Sequence, residues 1–219
     1  RHRANARDPR AEGSWVGTVS YTIWRGFFVN RINYQKKLEN LIDENCRDGA
    51  LPTLFLHSCC APCSSYVLEY LSAFFSITVF FYNPNISPRT EYQKRVQEIQ
   101  RLLQEQPYLH PVQFEEGAYD PERFFAMAKG MEWLPEGQER CFACYRLRME
   151  EAAKRAAEGG YDYFTTTLSI SPLKNAEKIN EIGQELEKLY QVRHLPSDFK
   201  KKNGYQRSVE LSREYGLYR

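Results

Sequence analysis

Residues 51–65 read LPTLFLHSCCAPCSS: a short apolar run, then three cysteines within five positions, then the start of a helical pattern. The run over residues 51–56 has the length and character of a buried strand. Ser64 opens a helix reaching to about residue 75. Cys59, Cys60 and Cys63 therefore fall at the C-terminal end of a strand, where the chain turns into a helix.

Working outward, residues 33–47 place Leu38, Leu41 and Ile42 among charges, an amphipathic helix stopped by Gly49. Residues 77–82 (ITVFFY) are β-branched and aromatic, a second strand ended by the turn Asn83-Pro84-Asn85. A charged helix spans 89–104, with Tyr92, Val96, Ile99 and Leu103 on one face, and a third strand lies in 109–114. Asp120-Pro121 marks the start of a helix running to about Ala128, with Asp as N-cap. A loop over 130–140 leads into a helix over 141–157, closed by Gly159-Gly160. Residues 161–167 form a fourth strand, Ser171-Pro172 opens a helix reaching to about Tyr190, residues 192–195 form a last short strand, and a short helix lies near 208–215. Such alternation implies an α/β fold: a single domain with a doubly wound, mostly parallel sheet, right-handed crossovers and a C-terminal extension. Ligands in such sheets bind beyond the C-terminal strand ends, where the first cysteines lie.

The formal charge of +2 predicts no general attraction to polyanions, so a nucleic-acid partner must be met by a local patch. Lys200-Lys201-Lys202, with Arg193, His194 and Arg207 nearby, is such a patch for phosphates. The 15 Tyr and 13 Phe supply a Tyr-rich core and rim, or surfaces on which bases stack. No stretch of about 18 uncharged apolar residues exists, so no membrane helix and no membrane partner are expected. The Arg-rich residues 1–31 read as a poorly ordered N-terminal extension, and residues 32–219 as the folded domain.

Five of the six cysteines fall in two clusters, Cys59-Cys60-x-x-Cys63 and Cys141-x-x-Cys144, each at a predicted helix N-terminus. The positive helix end favours thiolates, and two such groups converging offer four soft ligands to zinc or an iron–sulfur cluster. The pattern also admits a metal-free dithiol. Clustered thiols in an ordinary α/β chain suit a reducing, cytoplasmic compartment. Cys46 stands alone as an incidental thiol, and His57 reads as a structural hydrogen-bonder. Tyr82-Asn83-Pro84-Asn85 and Thr165-Thr166-Thr167 are placed to line the same site.

Several segments in order resemble the QueH family of epoxyqueuosine reductases: residues 56–64 (LHSCCAPCS), 81–86 (FYNPNI), 140–146 (RCFACYR), 164–172 (FTTTLSISP) and 198–205 (DFKKKNGY). The resemblance runs from about residue 32 to the end. It implies a Rossmann-like fold similar to the adenine nucleotide alpha-hydrolase-like folds. It also implies the last step of queuosine synthesis, in which an epoxide on the modified base in the anticodon loop of tRNA is reduced to an alkene. The family is cobalamin-independent and uses a [4Fe–4S] cluster, with a second, mononuclear iron nearby. By matching positions, Cys59, Cys60, Cys141 and Cys144 would bind the cluster and Cys63 the second metal, or Cys63 and Cys59 would exchange places. Tyr82, Tyr119, Asp120 or Asp198 would donate the proton. The electron donor is left unidentified. Family members usually continue into a Cys-Gly-Cys motif where this chain stops, at Arg219, which reads as a truncation.

The rival readings differ in chemistry. An ATP-dependent tRNA-modifying enzyme needs a glycine-rich phosphate loop where Cys59 to Ser65 stands, and no glycine is there. A zinc-stabilised RNA-binding protein without catalysis would bind one zinc. A thiol–disulfide oxidoreductase would bind no metal.

Overall fold

The computed structural model describes residues 32–49 and 51–218. The expected N-terminal extension, residues 1–31, lies outside them.

Helix α1 (Tyr34–Arg47) starts where the Asn33 side chain accepts from the Lys36 amide at 3.1 Å, and it buries Tyr34, Leu38 and Ile42. It leads to strand β1 (Thr53–His57), whose last four residues are buried. Helix α2 (Ala61–Leu71), strand β2 (Ser76–Phe81), helix α3 (Arg89–Glu105) and strand β3 (Val112–Glu116) follow. Helices α4 (Pro121–Ala128) and α5 (Glu139–Glu158) then bring the chain to strand β4 (Tyr163–Thr166). A 3-10 turn (Thr167–Ile170), helix α6 (Ala176–Tyr190), the two-residue strand β5 (Arg193–His194) and helix α7 (Gly204–Glu214) complete it.

The sheet order is β3-β2-β1-β4-β5, with every neighbouring pair parallel. The chain winds from β1 out to β3, then returns to the other side of β1 through β4. That reversal leaves a crevice at the C-terminal ends of β1 and β4, where His57 pairs with Thr166.

Side chains alternate across the sheet into two cores. Leu54, Leu56, Ile77, Val79, Phe81 and Tyr163 face the core that holds Leu38, Val67, Leu68, Val96 and Ile99. Phe55, Phe80, Tyr82 and Phe164 face the other, with Met149, Ala152, Ala156, Ile179, Ile182 and Leu186. Burial on both faces is why β1 and β2 read as continuous apolar runs rather than alternating ones.

Element starts differ from the sequence reading in several places: α2 begins three residues earlier, at Ala61, and β3 three residues later, at Val112, while β1 and β4 each begin two residues later. Helix α5 begins two residues earlier, at Glu139. Helix α6 begins at Ala176, not at Ser171-Pro172, because the 3-10 turn intervenes and the Asn175 side chain caps the Lys178 amide at 3.0 Å. Helix α7 begins at Gly204, four residues earlier than expected, after Asn203 in the left-handed region at φ 63°.

Candidate metal centre

Only Ser58, Cys59 and Cys60 connect β1 to α2. Cys60 is the N-cap of α2, in extended backbone, and Cys63 is its third residue, with Pro62 between them. This turn folds the three sulfurs of Cys59, Cys60 and Cys63 to within 4.8 Å of one another, all half-buried. The Cys59 and Cys60 sulfurs are 3.9 Å apart and unbonded. The α2 N-terminus contributes the positive end of its dipole, which favours a negative sulfur.

The three thiols divide one proton deficit. Hydrogen bonds from Cys60 and Cys63 hold the Cys59 thiol well below its ordinary range. Those two keep their protons: donation to Cys59 pushes Cys60 up to about 12 and drives Cys63 upward as well. The Lys174 ammonium further favours the Cys59 thiolate. A bound cation favours deprotonation of the sulfurs that ligate it.

Buried polar groups around the turn hold it in place. The Thr167 hydroxyl accepts from the Cys59 amide at 3.1 Å and lies 3.3 Å from the Cys59 sulfur. His57 Nε2 donates to the Tyr82 carbonyl at 3.0 Å, so its Nδ1 accepts from the Thr166 hydroxyl at 2.8 Å. Burial pushes the His57 pKa down to about 3, leaving a neutral ring with both nitrogens engaged. His57 is a strand-end brace, as the sequence suggested. Thr165 donates to the Leu195 carbonyl at 2.8 Å, so all three threonine hydroxyls are turned inward.

The second cysteine pair sits on α5, Cys141 as its third residue and Cys144 one turn on, both half-buried. The Gly137 amide donates to the Cys141 sulfur at 3.3 Å. A polar chain ties this helix to the first turn. Arg148, 5 % exposed, donates to the Cys144 carbonyl at 3.2 Å and to Asn83 Oδ1 at 3.4 Å, and Asn83 donates to the Ser58 carbonyl at 2.9 Å. Cys59 and Cys141 also pack against the same apolar core. Cys141 and Cys144 are not members of the compact triad. Three soft sulfurs that close fit a metal ion.

The family model described as epoxyqueuosine reductase QueH matches residues 54–219. The chain belongs to the QueH family. The QueH of Staphylococcus epidermidis is 44% identical over 193 residues, covering 86% of this chain and 81% of that protein. The Streptococcus pyogenes QueH is 42% identical over 191 residues, covering 86% and 75%. The Thermotoga maritima QueH is 34% identical over 173 residues, covering 76% and 85%.

Two of the proton-donor candidates of this QueH chain, Tyr82 and Asp120, meet at Arg123, with Tyr119 next to Asp120 in the chain. Tyr82 is buried, and its hydroxyl accepts from Arg123 at 3.2 Å, which Glu151 holds at 2.9 Å. Burial raises its pKa. Tyr119 packs on Tyr92 at 4.8 Å, under the Arg89 guanidinium at 4.5 Å. Asp120 caps α4, accepting from the Arg123 amide at 3.3 Å. Asp198 is buried and paired with Lys200. The basic patch is largely neutralised internally: Lys202 pairs with Glu39, and Arg207 with Glu69.

Two residues escaped the sequence reading. Arg148 lies one helical turn past Cys144, a spacing that flags it once the helix is known. Lys174 follows the Ser-Pro turn and forms no ion pair among the described residues, yet it acts on Cys59.

Proposed function

We propose that this chain reduces epoxyqueuosine to queuosine in tRNA, the last step of queuosine biosynthesis, as an oxidoreductase whose cysteines hold iron. The observation that carries the reading is the Cys59, Cys60 and Cys63 triad at the crevice of the sheet, within 4.8 Å, in a chain whose relatives are named epoxyqueuosine reductases. Those names favour catalysis over a zinc-held RNA-binding module.

The reaction takes an epoxide, two electrons and two protons to an alkene and water. Cys59, Cys60, Cys141 and Cys144 would hold a [4Fe–4S] cluster and Cys63 a second iron, or Cys63 and Cys59 exchange roles. When bound, such a group supplies single electrons and a Lewis-acidic site for oxygen. The chain's own residues prepare this. Thr167 fixes the rotamer and backbone of Cys59. Asn83 and Arg148 keep the second pair in register with the first turn. The proton donor is drawn from Tyr82, Tyr119, Asp120 and Asp198. Among the described residues Lys174, Lys201 and Arg193 form no ion pair and are left to meet tRNA phosphates.

Two partners follow, tRNA carrying epoxyqueuosine in its anticodon loop and an electron donor of unassigned identity. A reducing, cytoplasmic setting suits six free thiols. No helix among the described residues is long and apolar enough to cross a membrane. The domain would span residues 32–219, with 1–31 an extension to it.

The test is anaerobic purification with iron, sulfide and zinc analysis, followed by turnover of epoxyqueuosine-containing tRNA under a chemical reductant. A brown protein holding about four irons or more per chain, bleached in Cys141→Ser and active on that tRNA, is the expected result. A colourless protein holding zinc and inert toward that tRNA would overturn the proposal.

A further inference from the structure

Beside the cysteine triad lies a cavity of about 150 Å³, built where three distant segments meet. Cys63 and Pro62 come from the first turn of α2, Ile170 to Lys174 from the loop after β4, and Tyr205 and Ser208 from α7. A cavity of about this volume accepts a single small ring. Its walls are mostly apolar, with a thiol, hydroxyls and an ammonium among the lining groups.

The wall contributed by α7 is held firmly. An added Cβ on Gly204 would lie 2.0 Å from the Phe199 carbonyl oxygen and 2.4 Å from the Tyr66 ring, so only glycine lets α7 approach α2 this closely. Ser208 is buried and donates to the Tyr205 carbonyl at 2.7 Å. At the mouth the side chains turn outward: Leu173 is 70 % exposed and Tyr205 38 %. Lys174 also lines the cavity and acts on Cys59, with no ion-pair partner among the described residues.

We propose that this cavity is the subsite for the reacting ring of the substrate, with Tyr205 and Leu173 at its mouth contacting the base that carries the ring and Lys174 meeting a flanking phosphate. The inference deepens the reductase reading and rests on it. A small oxygenated ring matches the cavity in size and in its mixed lining, and it would put the epoxide against the sulfur-lined wall. An aromatic and an aliphatic side chain at the rim suit a base lifted out of its stack, and an unpaired ammonium suits the backbone next to it.

The experiment uses the full, metal-loaded chain and two anticodon stem-loop RNAs, one carrying epoxyqueuosine and one carrying guanine at the same position. Binding preference between the two RNAs, kcat and KM are measured for the native sequence and for Ser208→Leu, Tyr205→Ala and Lys174→Met. Iron content and thermal midpoint report whether each variant is loaded and folded. Ser208→Leu fills the cavity and is expected to raise KM for the modified RNA by about tenfold or more and to erase the binding preference, with guanine RNA bound as before. Tyr205→Ala is expected to weaken the preference, and Lys174→Met to weaken both RNAs alike with a shallower salt dependence. Should Ser208→Leu misfold, Tyr205→Ala, at an exposed position, carries the test. A native preference that survives unchanged in both variants would overturn the subsite and leave the reductase reading standing. A native protein that prefers the modified RNA but never turns it over would overturn the reductase reading and leave the subsite. Neither preference nor turnover would overturn both.

Discussion

The Thr167 hydroxyl touches Cys59 twice, at its amide (3.1 Å) and at its sulfur (3.3 Å). A buried amide left without a partner costs about 1–3 kcal/mol, more than the net value of a typical hydrogen bond. Thr167→Val keeps the shape and removes the hydroxyl. It is expected to lower unfolding stability by about 1–3 kcal/mol in urea and to reduce the iron retained after purification. Thr167→Ser, which keeps the oxygen, should recover most of both. A valine variant matching the native chain in both measurements would show that Cys59 is positioned by the turn alone. Gly183 makes a second residue-level case. A Cβ there would lie 2.3 Å from His194 Nε2, and that ring is fixed against Phe164 with centroids 5.2 Å apart. Gly183→Ala should therefore destabilise by about 1–3 kcal/mol through overpacking, although alanine is the better helix former by about 1 kcal/mol. A stabilised variant in a thermal melt would contradict this.

At the scale of elements, α5 is the helix whose placement decides whether the second cysteine pair can share a site with the first. Its tether is the Arg148 guanidinium, bridging the Cys144 carbonyl and Asn83. Arg148→Leu removes both bonds and leaves Asn83 Oδ1 buried without its donor. The expected loss is about 2–3 kcal/mol, as for hydrogen bonds to a charged group, together with faster removal by a chelator of whatever metal the cysteines hold. Metal release at the native rate would mean that α5 is positioned by its apolar face alone. Arg148 was not legible in the sequence, because an arginine between Leu147 and Met149 resembles any charged helix position until its burial is seen. The helices themselves were legible where capping chemistry was explicit, as at Asp120-Pro121. They were displaced where a left-handed residue opens the helix, as Asn203 does for α7. Asn203-Gly204 reads as a helix breaker; here it is the pivot that turns the C-terminal segment onto α2.

At the scale of the whole molecule, the alternation of strands and helices announced a parallel sheet with helices on both faces, and the cysteine turn fell, as read, at a strand end. Strand order was not readable. Nothing local in residues 163–166 says that β4 pairs with β1, yet that pairing brings Thr166 to His57 and Thr167 to Cys59 across more than a hundred residues. The two-residue strand β5 adds a stability feature at the sheet edge. It carries His194, 5 % exposed, whose two ring nitrogens have no hydrogen-bond partner among the described residues, while its amide donates to Glu187 at 3.1 Å. Burial pushes its pKa down to about 3. An unfolded histidine takes up its proton near pH 6.5, so the unfolded state binds more protons than the folded one between those values. Stability is then fully present above about pH 6.5 and falls as the pH drops toward 3, by up to about 1.4 kcal/mol per pH unit from this ring. Between pH 7 and pH 5 the native chain should lose about 2 kcal/mol more than His194→Phe, which has no proton to take up. Urea unfolding of both proteins at the two pH values measures the difference directly, with every other titrating group common to both. Equal losses would mean that the folded chain accepts the proton at His194 as readily as the unfolded one, through water or a carboxylate reaching the ring.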